Sequence, residues 1–125
     1  MNDLAELYPQ ALLSRGRGLV YAGRLATPTH SAQAINSLCG DEVAIDLLVV
    51  DGVISEVAHR VVGCLICKVS ADLLAEYAVG LSVESVIAAT PTLGEVPMLA
   101  GVRAFPARVK CAELPWLALG AAERK

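Results

Sequence analysis

The sequence predicts one α+β domain, with a small antiparallel sheet early in the chain and helices packed on one face of it. Two β-type runs, Val43 to Val50 and Val53 to Val62, are joined directly by Asp51-Gly52. A type I′ turn needs positive φ at both central residues, and Asp-Gly supplies it, so this is a strong hairpin signal. A helical pattern follows from Val69 to Val79 (Val69, Leu73, Leu74, Tyr77), and Gly80 stands where a helix would stop. Strands first and helices afterwards is the order of an α+β fold.

The remaining elements follow in turn. Leu4, Leu7, Tyr8, Ala11 and Leu12 have helical spacing interrupted by Pro9, which predicts a short N-terminal helix. Ser14 to Gly23 is rich in Gly and Arg and reads as a loop; Thr27 to Leu38 is polar and reads as a short edge strand. Within Val53 to Val62, Ile54, Ala58 and Val62 are set against Ser55 and His59. Ser82 can cap a short helix running to Ala89, after which Pro91, Gly94 and Pro97 break the chain. Pro106 can start a helical turn. Cys111 is expected to open the last helix, with Pro115 in its tolerant first turn and Trp116 to Arg124 continuing it.

The bulk properties bound the function. A chain of 125 residues suits a single domain, residues 1–125, and 55% apolar residues suffice for a packed core. With aromatics at 4%, that core must be mainly Val, Leu, Ile and Ala. A net charge of −3 without a basic stripe argues against nucleic acid as partner. Mean hydropathy is +0.56, so some apolar surface is expected to meet a partner. No apolar run approaches the ~18 residues a membrane helix needs. Met1-Asn2-Asp3 does not open a signal peptide. A cytoplasmic protein is expected, and in a reducing compartment four cysteines read as metal-binding or reactive groups rather than disulfides.

The chemistry is concentrated in those cysteines. Cys39 and Asp41 flank Gly40, where the backbone can bend so that thiolate and carboxylate reach one ion; this donor pair suits Zn²⁺ or iron. A buried cysteine beside a turn aspartate is the plainer reading. Cys64 and Cys67 form C-x-x-C just before a helix, and helix N-termini favour thiolates. Zinc ligands, a redox pair and two core cysteines all fit that spacing, and Cys67 suits a core position among small residues. Cys111 follows Lys110, an ammonium that can stabilise a thiolate or simply be solvated. His30 and His59 stand alone, with His59 read as a surface or half-buried histidine rather than a ligand, and Asp46 is expected to face solvent.

Taken together, these motifs resemble the iron–sulfur cluster assembly scaffold family, which comprises IscU, SufU and the N-terminal domain of NifU. The resemblance rests on Cys39-Gly40-Asp41, the Asp51-Gly52 hairpin, Gly63-Cys64 and the late Cys111, and spans nearly the whole chain. The stretch from Arg103 to Trp116, with Lys110 before the third cysteine, and the stretch from Gly63 to Asp72 are similar to the SufU branch. The resemblance implies an N-terminal helix, a three-stranded antiparallel sheet and several helices. It implies Cys39, Asp41, Cys64 and Cys111 as ligands of a transient 2Fe–2S cluster or of Zn²⁺, with Asp41 the weak, exchangeable ligand. It further implies that Cys39, Cys64 or Cys111 accepts persulfide sulfur from a cysteine desulfurase. Acceptor apo-proteins would be the other partners, a homodimer a candidate assembly, and the chain a scaffold rather than a conventional enzyme. A zinc-dependent sulfurtransferase is the alternative role.

The chain also departs from the family pattern. Arg15-Gly16-Arg17-Gly18-Leu19 stands where a His-Tyr-x-Asn-Pro-like segment is usual. Phe105-Pro106-Ala107-Arg108 replaces the Leu-Pro-Pro-Val-Lys of the IscU branch, and the connector from Gly80 to Val102 is short for SufU. Cys67 stands in place of Ser or Ala, as an additional candidate ligand or a resolving thiol.

Overall fold

The computed structural model describes residues 14–36, 40–88, 106–120 and 122–124. Strands β1 (His30–Asn36), β2 (Asp41–Val50) and β3 (Val53–Val62) precede helices α1 (Leu65–Ala78), α2 (Val83–Ala88) and α3 (Pro106–Gly120), and a two-residue strand β4 (Glu123–Arg124) follows. The sheet is antiparallel in the order β3-β2-β1-β4. The expected α+β fold with a three-stranded sheet is therefore present, extended by the short β4 at the edge of β1. The expected N-terminal helix over residues 4–13 falls outside the described residues. Residues 14–17, read above as loop, are helical.

The hairpin forms where the sequence places it. Asp51 (φ 52°) and Gly52 (φ 78°) both adopt the positive φ that the tight turn demands. Val49 pairs with Ile54, but Leu48 pairs with Glu56, so Ser55 is the extra residue of a β-bulge. One inserted residue flips the side-chain phase. Ile54 faces the core and, beyond the bulge, Val57, His59 and Val61 stand opposite Leu47, Ile45 and Val43. The simple alternation that grouped Ile54, Ala58 and Val62 breaks here, and Val62 is 68% exposed.

One face of the sheet carries the core. Ala32, Val43, Ile45, Leu47 and Val57 pack with Val69, Leu73, Leu74 and Ala78 of α1, Val86 of α2, and Leu114, Trp116, Ala118 and Leu119 of α3. Trp116 is fully buried, donates its Nε1–H to Ser70 Oγ (3.1 Å) and lies 5.7 Å from the Tyr77 ring. α1 ends at Gly80 (φ 92°), whose N–H bonds Ile54 O (2.8 Å), and Ser82 caps α2 by accepting from Ser85 N–H (3.2 Å).

The last helix differs from expectation. It begins at Pro106 rather than Cys111, so Cys111 lies inside it and Pro115 sits in its interior. Proline there deprives the carbonyl four residues back, that of Cys111, of its helical donor. Burial of Leu114, Pro115, Trp116, Ala118 and Leu119 favours the helix despite that loss. It stops at Gly120, and Glu123 and Arg124 pair with Ser31 and His30 instead of continuing it.

Two polar residues expected near the surface are buried. Asp46 faces the opposite side of the sheet, where Arg60 grips it (3.0 and 3.3 Å) and Leu25 N–H reaches it at 3.2 Å. His59 is 2% exposed on the core side, and its Nε2–H donates to Asp72 Oδ1 at 2.9 Å. Asp72, wholly buried in α1, also accepts from Tyr21 N–H (2.8 Å), Val20 N–H (3.1 Å) and Arg15 Nε (2.8 Å). Burial alone would raise the Asp72 pKa. The hydrogen bonds from His59, the Tyr21 and Val20 amides and Arg15 outweigh it and hold the carboxyl below the usual aspartate range. His59 Nδ1 is buried with no hydrogen-bond partner among the described residues.

Asp72→Asn should cost about 3–5 kcal/mol at neutral pH, because Arg15 loses a buried counter-charge. A carboxyl with a depressed folded-state pKa stabilises above its unfolded pKa, about 3.9, and that contribution fades as pH falls through the lower folded-state value. Urea unfolding of both proteins as a function of pH checks this: the difference should be full near neutrality and shrink below about pH 4.

Candidate metal and sulfur site

Asp41 and Cys64 come together where the sheet ends and the first long helix starts. The chain leaves β1 at Asn36 and re-enters at Gly40, whose φ of 77° suits glycine and whose N–H bonds Asn36 O (2.7 Å). Asp41 is then the first residue of β2, paired with Asn36 and only 4% exposed. On the neighbouring strand β3 ends at Val62, opposite Glu42. Gly63 follows, and Cys64 occupies the N-cap of α1 with extended backbone (φ −73°, ψ 165°). Its side chain does not cap the helix. The half-buried thiol turns to the carboxylate instead, with Sγ 3.6 Å from Asp41 Oδ2.

Gly63 makes that approach possible. A Cβ at residue 63 would come within 2.6 Å of both Cγ and Oδ1 of Asp41. The Asp41 carboxylate thus lies directly over the backbone of residue 63, and that contact aims it at Cys64. Site reasoning from sequence passed over this glycine as a positioning residue. The available signal was an isolated Gly at the end of a strand pattern, which marks a close approach to the backbone.

The other candidates are placed as follows. Cys39 lies outside the described residues. The backbone of Cys111 is in α3, which packs against α1, and its side chain is outside the described residues. Cys67 is in the first turn of α1, 0% exposed and part of the core cluster. It is therefore a core residue of α1, whereas Cys64 at the start of the same helix is half-buried. His30 is at the far end of β1 from Asn36, bonded to Thr29 Oγ1 (3.0 Å), and His59 is occupied by Asp72. Among the described residues no group of three or more His, Cys, Asp and Glu side chains is arranged to hold a metal. The described part of the site is one thiol and one carboxylate in contact, a borderline donor pair suited to zinc or iron.

A family comparison decides what this arrangement belongs to. The NifU-like N-terminal domain family matches residues 18–122. The chain belongs to that family. An iron-sulfur cluster assembly scaffold protein IscU from Thermotoga maritima is 31% identical over 133 residues, covering 95% of this chain and 94% of that protein. The zinc-dependent sulfurtransferase SufU of Bacillus subtilis is 27% identical over 99 residues, 67% of each chain. Among solved structures, a nitrogen-fixing NifU-like protein (N-terminal) from Brucella abortus superposes with a TM-score of 0.81 at 22% identity, covering 95% of this chain and 93% of that one. A SUF-system scaffold from Fervidobacterium islandicum gives a TM-score of 0.72 at 23% identity, covering 86% and 90%. These two likenesses bear on the fold alone. The NifU-like domain reaches from residue 18, just beyond Arg15, through α3, so Asp41, Cys64 and Cys111 all lie within it.

Gly63→Ala should cost about 1–3 kcal/mol, since either the Asp41 carboxylate or the β3–α1 turn must move. Urea midpoints compare the two proteins; equal stability would mean that Asp41 is not held against residue 63.

Proposed function

We propose that this NifU-like domain is a scaffold for iron–sulfur cluster assembly. It accepts sulfur from a cysteine desulfurase, joins it with iron on Cys39, Asp41, Cys64 and Cys111, and passes the cluster to apo-proteins. The observation that carries this reading is the contact between the nearly buried Asp41 and Cys64, held by Gly63 inside a domain whose relatives include a named assembly scaffold. Three thiolates and one carboxylate form a site that is not uniformly soft, so it can bind iron or zinc and still release it. Asp41 is the oxygen donor of the set and the exchangeable one. The cluster is the cargo, 2Fe–2S in the simplest case. Among the described residues no helix is long and apolar enough to cross a membrane, which suits the cytoplasmic setting proposed for this work.

The second reading is a zinc-dependent sulfurtransferase. It is favoured by the SufU relative and by Lys110 preceding Cys111. The same four residues fit Zn²⁺, which would hold the thiolates in place in that role.

Anaerobic reconstitution with iron, cysteine and a cysteine desulfurase separates the two. A scaffold should acquire stoichiometric iron and acid-labile sulfide and hand both to an apo-ferredoxin. Tight zinc, absence of a cluster and faster desulfurase turnover would leave the sulfurtransferase reading standing. Asp41→Ala sharpens the distinction: the cluster of a scaffold should persist longer once its exchangeable ligand is gone, whereas a zinc-dependent sulfur carrier should lose metal and activity together. Decay of visible absorption and bound-zinc analysis report the two outcomes.

A further inference from the structure

We infer that Cys67 is a resolving thiol, which converts a persulfide on Cys64 into free sulfide and leaves a Cys64–Cys67 disulfide. The inference deepens the sulfur-accepting role proposed above and rests on it.

The geometry comes from the start of α1. Cys64 is the N-cap and Cys67 the third residue of the helix. The two positions are three apart, so their side chains are neighbours on one side of the first turn, and the N-cap backbone lies outside the regular helix. Cys64 has extended backbone and makes no side-chain cap bond; its thiol rests on Asp41 (3.6 Å) and turns from that carboxylate toward the helix to meet Cys67. Disulfides need Cβ atoms about 3.5–4.5 Å apart, closer than the roughly 5–6 Å of helical i, i+3 neighbours, so the pair closes by a shift of the non-helical N-cap residue.

Burial sets the direction of attack. Cys64 is half-buried, and Cys67 is 0% exposed and belongs to the core cluster. A desulfurase must deliver sulfur from the solvent side, so the outer sulfur of a Cys64 persulfide lies outward and Cys67 meets the inner one from behind. Exchange at a sulfur requires such an approach, with the leaving sulfur departing on the opposite side. The same burial shields Cys67 from persulfides and oxidants in solution.

The step balances internally. Cys67 Sγ bonds to Cys64 Sγ, the bond from Cys64 Sγ to the outer sulfur breaks, and the Cys67 thiol proton leaves with the sulfide. The sulfane sulfur gains two electrons and the two cysteine sulfurs lose them. Cluster assembly consumes sulfide, and here the dithiol itself supplies the reducing equivalents. A dithiol reductant of the thioredoxin class then restores Cys64 and Cys67, and Cys64 returns to Asp41.

A single-turnover experiment tests this. The full chain and its Cys67→Ser and Cys67→Ala variants are mixed anaerobically with radiolabelled cysteine and stoichiometric cysteine desulfurase, without added reductant. Sulfide is trapped and the cysteines are mapped by mass spectrometry. The expected result is labelled sulfide and a Cys64–Cys67 disulfide from the wild type, with label retained as a Cys64 persulfide in both variants. Label held on the wild type as a persulfide, with no Cys64–Cys67 disulfide, overturns the inference while sulfur acceptance stands. No label on any of the proteins removes the sulfur-accepting reading and the inference with it. The wild-type map decides between these even if a variant folds poorly.

Discussion

The buried carboxylate of Asp72 is the constraint on which much of this fold depends. A charge with no solvent contact must be met by donors from every side. Here they come from three parts of the chain: His59 on β3, the amides of Val20 and Tyr21, and Arg15. The N-terminal segment is thereby locked between the sheet and α1, where it continues the sheet edge through the pairing of Ala22 with His59. Because the carboxylate is on α1, the same bonds fix how that helix lies against β3. Cys64 sits at the N-terminus of that helix and Asp41 on the adjoining strand, so their 3.6 Å contact follows from this helix placement together with the missing Cβ of Gly63.

The N-terminal departure from the family pattern also acquires a structural role here. Arg15 pairs with Asp72 and, at 3.2 Å, with Glu76 on the same helix. The segment that differs from the usual His-Tyr-x-Asn-Pro-like motif therefore anchors onto α1. Cys67, the other departure, is a buried core residue inside that helix. Both changes act on one element, the helix that presents the site.

Legibility from sequence varied with how local the cause was. The Asp51-Gly52 hairpin, the Gly80 stop and the Ser82 cap depend on a few adjacent residues, and all appear as expected. The phase of β3 was misread because the bulge at Ser55 is set by pairing with β2. The extent of α3 was misread because helix propensity penalises an interior proline, whereas packing of Trp116 and Leu119 into the core outweighs it. Asp46 was placed outside and His59 at most half-buried because their partners, Arg60 and Asp72, lie 14 and 13 residues away. Of the site, Asp41 and Cys64 were readable from their motifs; that they touch was not.

The sequence by itself determined the α+β class, the hairpin, the stop of α1 and the start of α2, and it singled out the thiols and the carboxylate of the candidate site. Those depend on residue type and short-range spacing, which one chain displays directly. Tertiary structure alone decided that Asp41 meets Cys64 over the bare backbone of Gly63, that Cys67 is fully buried, and that Asp72 gathers Arg15, Val20, Tyr21 and His59. Each of those facts joins residues distant in sequence or turns on which side of an element faces the core. That choice is made by the burial of a whole apolar face and the satisfaction of one buried charge, terms that exist only once the chain has closed on itself.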